Sequence, residues 1–296
     1  MRGLRGSGRL RLPVLAVFLT GVAGISFAAI FVRLALPAPP VVAGFHRMWI
    51  ATAVLGGALG LRRGRRPPAR GGLLAVAAGA CFGTDLALWN TSIVRTSVAT
   101  STLLVNTTPI LVGLFSVLVL RQRLGGGFAG GAALALAGAA VLVGLPAGAH
   151  DTLEGALLAL GAAVFYSGYL LLMAAARRAV DTLPALFAAS ASASAVLGLY
   201  ALLRSDPFAG FPASSWAAIL GLALVSQLGG VLGIVWALRF LPATVASVGL
   251  LGQPVGTALL GWLLLGESIA PLQALGGCAV LGGIALCART GLAPQP

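Results

Sequence analysis

The chain has 296 residues and a formal net charge of +13, yet only 8% of its residues are charged and 59% are hydrophobic. A soluble domain carries about a quarter charged residues, so this composition excludes an ordinary soluble enzyme or binding domain. Disordered chains are also excluded, because they have low hydrophobicity. The class that remains is an all-α polytopic membrane protein.

Apolar runs in chain order predict ten transmembrane helices of about 20 residues each, joined by short loops. The first run follows four arginines and is long for a secretory signal, so we expect it to be retained as a span. The predicted spans are 13–32, 40–61, 72–92, 97–120, 127–145, 155–175, 183–203, 215–236, 243–265 and 271–288.

The basic residues are all arginines, and most of them lie on one side of the predicted membrane. With a cytoplasmic N-terminus, fifteen arginines fall in cytoplasmic segments, three (Arg33, Arg95 and Arg204) fall in outside loops, and Arg47 falls within a span. Positive residues favour the cytoplasmic side. We therefore expect an integral protein of the bacterial cytoplasmic (inner) membrane with both termini cytoplasmic, and no nucleic-acid partner.

Two prolines lie inside predicted spans, Pro109 and Pro254, and the same offset superposes the spans of the two halves. We therefore predict two five-helix units, 1–148 and 149–296. Because five is odd, the second unit must be inverted relative to the first. Inverted repeats are typical of secondary transporters, whose substrate site lies near mid-membrane at discontinuous helices. The two prolines either open such a site or only shape the bundle.

Two segments carry a family resemblance. They are DLALWNTSIVRTSVATSTLLVNTTPILVGLFSVLVLRQRL (85–124) and LPATVASVGLLGQPVGTALLGWLLLGES (241–268). With Arg47 in FHRMWIA, they resemble the drug/metabolite transporter (DMT) superfamily, in particular its ten-span members built from two EamA-type units. The second half keeps the family's Gly-Glu ending at Gly266–Glu267, whereas the first half has Arg121–Gln122. The resemblance implies export or exchange of small metabolites, often amino acids, by alternating access, with exporters of the YddG type as one neighbouring group.

Few ionisable residues lie within the spans, and such residues are functional candidates by default. His46 and Arg47 lie in the second span, and Asp85 lies in the third. Arg47 and Asp85 are at matched depth, about 10 Å below the outer boundary at 1.5 Å per residue, so we predict that they pair directly or through water. Either they contact a zwitterionic substrate, with Asp85 as a candidate carrier of a coupling proton, or they form a structural ion pair. His46 is a further substrate-binding candidate that could equally pack.

The remaining candidates for substrate binding are polar or aromatic residues inside the spans. Those nearest the two prolines, and hence mid-membrane, are Asn106, Thr107 and Gln253; the others are Trp89, Asn90, Tyr166 and Tyr169. Tyrosine at mid-depth needs a hydrogen-bond partner, so these side chains line a cavity or else pack between helices. Threonine can also bond back to its own helix. Matched glycines in the fifth and tenth spans predict a packing stripe, between these helices or at a dimer contact.

The function that these features favour is a secondary transporter that exports or exchanges small organic metabolites, with amino acids, including aromatic ones, as the best guess. The alternatives are a passive, channel-like facilitator and, less favoured, an intramembrane enzyme. The two histidines lie far apart and no nucleophile motif is present, so we expect no catalytic residues, no metal site and no cofactor. The expected partners are a small-molecule substrate and membrane lipid, and the chain is a monomer or a homodimer.

Overall fold

The computed structural model describes residues 11–61, 69–92, 95, 98–119, 121, 124–143, 152–265 and 270–291, and every regular element within them is a helix. The helices are α1 (Arg11–Leu34), α2 (Pro40–Gly60), α3 (Ala69–Ser92), α4 (Val98–Val105), α5 (Thr108–Leu118), α6 (Gly126–Val143), α7 (Leu153–Ala176), α8 (Thr182–Leu203), α9 (Ala213–Gly221), the π-helical segment Leu222–Val231, α10 (Leu232–Ala237), α11 (Ala243–Gly249), α12 (Gly252–Leu265) and α13 (Pro271–Gly291).

Each of the ten predicted spans corresponds to one helix or to consecutive helices of this set. Within the described residues, seven helical stretches are long and apolar enough to cross a membrane. Three shorter apolar helices complete the spans: Thr108–Leu118, Gly126–Leu142 and Pro271–Cys287. The predicted all-α, ten-span membrane architecture is therefore confirmed, with edges shifted by a few residues.

The fourth and ninth spans are not the continuous helices that the hydropathy pattern predicts. α4 ends at Val105 and α5 begins at Thr108, while α11 ends at Gly249 and α12 begins at Gly252. The two interruptions occupy corresponding places in the two halves of the chain. Each half therefore contains one span that is interrupted along its length.

Proline chemistry explains where these two breaks fall. Pro109 and Pro254 lie in the first turn of α5 and α12. Proline has no N–H to donate, which is tolerated in a first turn but not in a helix interior. Just before each proline the backbone tightens, because Thr107 and Leu251 donate their N–H groups to the carbonyl oxygen three residues earlier, at 3.1 and 3.0 Å. The chain thus restarts a helix immediately before each proline.

The eighth span contains the π-helical segment Leu222–Val231 between α9 and α10. This segment packs directly on the backbone of α1 through glycines. A Cβ atom added to Gly24 would lie 2.8 Å from Gly230 Cα, and one added to Gly230 would lie 2.7 Å from the backbone nitrogen of Ile25. Only residues without a side chain permit this approach, so the position of the π-helical segment is fixed by α1.

The large helix–helix interfaces join different halves of the chain rather than helices of the same half. α1 packs on the π-helical segment, α7 packs on α3, α2 packs on α8, and α6 packs on α13. The first helix of each half therefore packs on the third span of the other half. The main core also draws on both halves, with Val42 and Met48 beside Leu170 and Leu197. The two repeats are interleaved, and they share one core.

Matched glycines hold α6 and α13 together. A Cβ atom on Gly138 would lie 2.6 Å from the carbonyl oxygen of Gly276, and one on Gly131 would lie 2.9 Å from that of Gly283. Small residues let transmembrane helices approach closely. The predicted glycine stripe is therefore a contact between the fifth and tenth spans within one chain.

Replacing Gly138 by alanine is expected to lower the Tm of the detergent-purified protein, because the added Cβ has no room beside the Gly276 carbonyl. Overpacking of this kind typically costs about 1–3 kcal/mol. Gly130→Ala is the matched control, because a Cβ at that position of the same helix meets nothing within 4 Å. Equal Tm values for Gly138→Ala and Gly130→Ala would contradict the close packing of α6 on α13.

Candidate functional site

A cavity of about 60 Å³ lies between the two helix breaks. It is lined by Val105, Asn106, Thr108, Pro109, Tyr166, Ser247, Leu250, Leu251 and Gln253. Both breaks are tight turns whose residues Thr107 and Leu250 keep right-handed helical backbone angles, and residues of both breaks line this cavity. Sites for drug-sized ligands measure roughly 300–1,000 Å³, so the cavity is too small for such a ligand in this conformation.

Polar side chains from both repeats meet at this cavity. Nδ2 of Asn106 is buried and has no hydrogen-bond partner among the described residues. The amide nitrogen of Gln253 lies 3.5 Å from the carbonyl oxygen of Ile25, a long contact. In contrast, the Thr107 hydroxyl donates to the carbonyl oxygen of Leu104 at 2.6 Å. Asn106 and Gln253 are thus available to a ligand, whereas Thr107 bonds back to its own backbone.

Three stacked aromatic rings form one wall beside the cavity. The Phe82 and Tyr169 rings stack at 4.6 Å between centroids, and the Tyr166 and Tyr169 rings stack at 5.9 Å. Tyr166 also lines the cavity itself. The Tyr169 hydroxyl is buried without a hydrogen-bond partner in the part of the chain that the structure describes. The wall joins α3 to α7, and hence the first repeat to the second.

Arg47 of α2 lies behind this wall and is 7% exposed. Its Nε donates to Oε1 of Gln227 at 3.0 Å, and its guanidinium carbon lies 5.8 Å from the centroid of the Phe82 ring. The charge also interacts electrostatically with both tyrosines of the wall and with Asp85. Among the described contacts, its two terminal nitrogens have no hydrogen-bond partner.

Asp85 of α3 is 5% exposed. Its carboxylate makes no hydrogen bond and no ion pair with any described residue, although it interacts electrostatically with Arg47. No direct ion pair between Arg47 and Asp85 is formed, and the hydrogen bond of Arg47 goes to Gln227. A bridge through water stays a prediction. Both side chains are therefore buried and interact electrostatically, with no direct bond between them.

The side chain of His46 points away from that of its neighbour Arg47, because consecutive residues of a helix face different directions. Its Nε2 lies 2.9 Å from the carbonyl oxygen of Phe208, and its ring meets Trp216 edge-on at 4.8 Å between centroids. These contacts tie α2 to α9 and to the loop before it. None of the described contacts of His46 reaches the cavity.

Trp89 and Asn90 lie on α3 beyond Asp85 in the direction of its C-terminal end. The Trp89 Nε1 is buried with no partner among the described residues, and Asn90 is buried. No described contact joins either side chain to the cavity.

Pro254 directly follows the cavity-lining Gln253.

Two residues at the centre of the site, Gln227 and Phe82, are missing from the sequence-based candidates. Both contact the guanidinium of Arg47. The offset that superposes Pro109 on Pro254 also superposes Phe82 on Gln227. That correspondence is a signal in the sequence, because Gln227 is a strongly polar residue in an otherwise apolar span.

Comparison with known proteins agrees with this architecture. The chain matches the model of the EamA-like transporter family over residues 12–144 and 153–289. The chain belongs to this family and is a membrane transporter, not an enzyme.

Two known proteins are similar to this chain over most of its length. It is 36% identical over 251 residues to the uncharacterized protein PA1977 of Pseudomonas aeruginosa, with 81% of each chain covered. A crystal structure with 23% sequence identity superposes with a TM-score of 0.77 over 97% of this chain and 100% of the other, so it has the same fold.

Asp85→Asn is expected to fold as well as the wild type and to keep its Tm within a few degrees, because no described group depends on this carboxylate for a hydrogen bond. Arg177→Met is the contrasting control. That buried arginine donates to the carbonyl oxygens of Val235 and Val180, and leaving buried acceptors unpaired costs about 1–3 kcal/mol. An equally large fall in Tm for both variants would make Asp85 a structural residue.

Proposed function

We propose that the protein exports or exchanges small organic metabolites, namely amino acids with aromatic ones among them, across the bacterial inner membrane by alternating access. The observation that carries this proposal is that Arg47 and Asp85 are both buried and that neither forms an ion pair with a described residue. A buried charge is costly unless it is paired. An amino acid zwitterion brings one carboxylate and one ammonium group, and so it can neutralise both.

Each part of the site has a role in this proposal. The terminal nitrogens of Arg47 bind the substrate carboxylate, since guanidinium groups bind carboxylates through two parallel hydrogen bonds. Asp85 binds the ammonium group. The aromatic wall, with Tyr166 and Tyr169, packs against the substrate side chain. Asn106 and Gln253 donate or accept hydrogen bonds at the cavity.

The other candidate residues have supporting roles. Thr107, Pro109 and Pro254 maintain the helix breaks, and Trp89 and Asn90 line the path between Asp85 and the outside. We leave His46 out of the proposed site because its contacts, with Phe208 and Trp216, lie elsewhere.

Access to the site requires a conformational change, because a cavity of about 60 Å³ is far below the size of a typical ligand site, roughly 300–1,000 Å³. We propose that α4 and α11 move relative to α5 and α12 about the two breaks. Discontinuous helices at corresponding places of two inverted repeats are typical of transporters that alternate in this way.

The proposed orientation has both termini in the cytoplasm, with the boundary between the repeats at 148/149. Two loop contacts support the assignment of loops to sides. Arg95 pairs with Glu154, and both belong to loops expected outside; Arg239 lies 3.4 Å from Asp181, and both belong to loops expected inside. Because one chain supplies every lining residue, we propose that a monomer suffices for transport.

We also propose that Asp85 carries the coupling proton. A proton and a substrate ammonium group compete for the same carboxylate, so the two ligands bind alternately. Such competition couples the outward movement of substrate to the inward movement of a proton.

The test is counterflow of labelled L-phenylalanine in liposomes that contain the purified protein. The unlabelled competitors are L-phenylalanine, L-phenylalaninamide, which lacks the carboxylate, and 3-phenylpropionate, which lacks the ammonium group. The wild type is expected to bind each analogue about 10–100-fold more weakly than L-phenylalanine, the worth of one charged hydrogen bond. Arg47→Met is expected to bind L-phenylalanine and L-phenylalaninamide equally well. Asp85→Asn is expected to bind L-phenylalanine and 3-phenylpropionate equally well. Counterflow by Asp85→Asn should also no longer respond to an imposed pH gradient.

Glu154→Gln is the matched control, because it removes an exposed acid that pairs only with Arg95 among the described residues. This variant is expected to keep the discrimination of the wild type. If both site variants also keep it, the two charges do not bind the substrate. If no amino acid gives saturable counterflow, the assignment as an amino acid carrier is wrong.

A further inference from the structure

A buried chain of hydrogen bonds fixes the side chain of Arg47. Oε1 of Gln227 accepts a hydrogen bond from Arg47 Nε at 3.0 Å, and Nε2 of Gln227 lies 3.4 Å from Oγ of Ser190. Gln227 and Ser190 are each 1% exposed. These two hydrogen bonds join α2 to the π-helical segment and the π-helical segment to α8, so three spans determine the orientation of one guanidinium group.

The hydrogen bond to Gln227 decides which edge of the guanidinium group is available. A guanidinium can bind a carboxylate side-on, through Nε and one terminal nitrogen, or end-on, through both terminal nitrogens. Because Gln227 occupies Nε, the side-on edge is blocked. The end-on edge is left, and its two nitrogens have no partner among the described residues.

The packing around Gln227 fixes its position relative to Arg47. Gln227 lies within the π-helical segment. There the backbone hydrogen bonds join residues five apart instead of four, which changes the direction of the side chains relative to an α-helix. Three residues later, Gly230 packs directly on the α1 backbone. The segment cannot slide or rotate without losing that contact, so the amide of Gln227 is fixed relative to α2.

We infer that Gln227 is a positioning residue: it holds Arg47 so that a substrate carboxylate binds end-on to the two terminal nitrogens. This inference rests on the proposed function, because it assigns to Gln227 the orientation of the group that binds the carboxylate. Gln227 itself does not touch the substrate. Its effect must therefore depend both on the carboxylate of the substrate and on the presence of Arg47.

The test is Gln227→Met, which keeps the length of the side chain and removes its acceptor. In counterflow with L-phenylalanine, KM is expected to rise about 10-fold with a much smaller change in Vmax, the loss of roughly one well-oriented charged hydrogen bond. The apparent affinity for L-phenylalaninamide should not change, because this probe has no carboxylate. Added to Arg47→Met, Gln227→Met should have no further effect on KM.

Two further variants complete the design. Ser226→Ala is the matched control, because its hydroxyl lies in the same segment and is buried without a partner among the described residues; it should leave KM unchanged. Ser190→Ala removes only the hydroxyl beside the Gln227 amide, and a KM rise of about 2–3-fold is expected from one weak, neutral hydrogen bond. This smaller change tests the inference if Gln227→Met does not yield folded protein.

The possible outcomes separate the inference from the proposed function. If Arg47→Met raises KM and neither Gln227→Met nor Ser190→Ala does, the positioning role is wrong and the function stands. A parallel loss of affinity for L-phenylalanine and L-phenylalaninamide would make Gln227 a merely structural residue and would also overturn the inference. If the wild type shows no counterflow with amino acids, the proposed function fails and the inference fails with it.

Discussion

Backbone groups that leave a helix inside a bilayer must find partners within the protein, because lipid offers them none. This constraint determines where the two broken spans can lie. The interruptions between α4 and α5 and between α11 and α12 are pressed together at the centre of the bundle, and the cavity forms where they meet. The aromatic wall and the two buried charges are arranged beside this cavity. The carbonyl groups that the two prolines leave without an N–H partner are satisfied locally: the Thr108 hydroxyl donates to Val105 at 2.7 Å, and the Gln253 N–H donates to Leu250 at 2.9 Å.

The interleaving of the repeats limits how the molecule can move. If each repeat had its own core, the two could rock against each other as separate bodies. Here α1 packs on the eighth span, α7 packs on α3, and the main core mixes side chains from both halves. Rocking of one whole repeat against the other would disrupt these interfaces. Bending at the two breaks moves shorter pieces and preserves most of the packing, which is why we assign the motion to them.

Much of the architecture follows from the sequence because the lipid environment imposes simple rules. Hydropathy predicts the ten spans, and the two internal prolines predict where the helices break. The sequence predicts that Arg47 and Asp85 pair directly or through water; no direct pair is formed between them, and a bridge through water stays a prediction. Whether two buried groups bond depends on side-chain directions, which hydropathy does not determine; here the Nε of Arg47 donates to Gln227. The periodicity of apolar residues along the sequence predicts neither the π-helical segment nor the hydrogen bond between the second and eighth spans.

The central claim is that the two broken helices enclose one substrate site that opens to each side of the membrane in turn. Its most direct test uses single cysteines at positions 105 and 247, which line the cavity, in a background in which Cys81, Cys278 and Cys287 are replaced. A membrane-impermeant thiol reagent would be applied to vesicles of each orientation. The account predicts that both cysteines react from both sides and that L-phenylalanine protects both of them. Reaction of either cysteine from one side only, without protection by the amino acid, would contradict it.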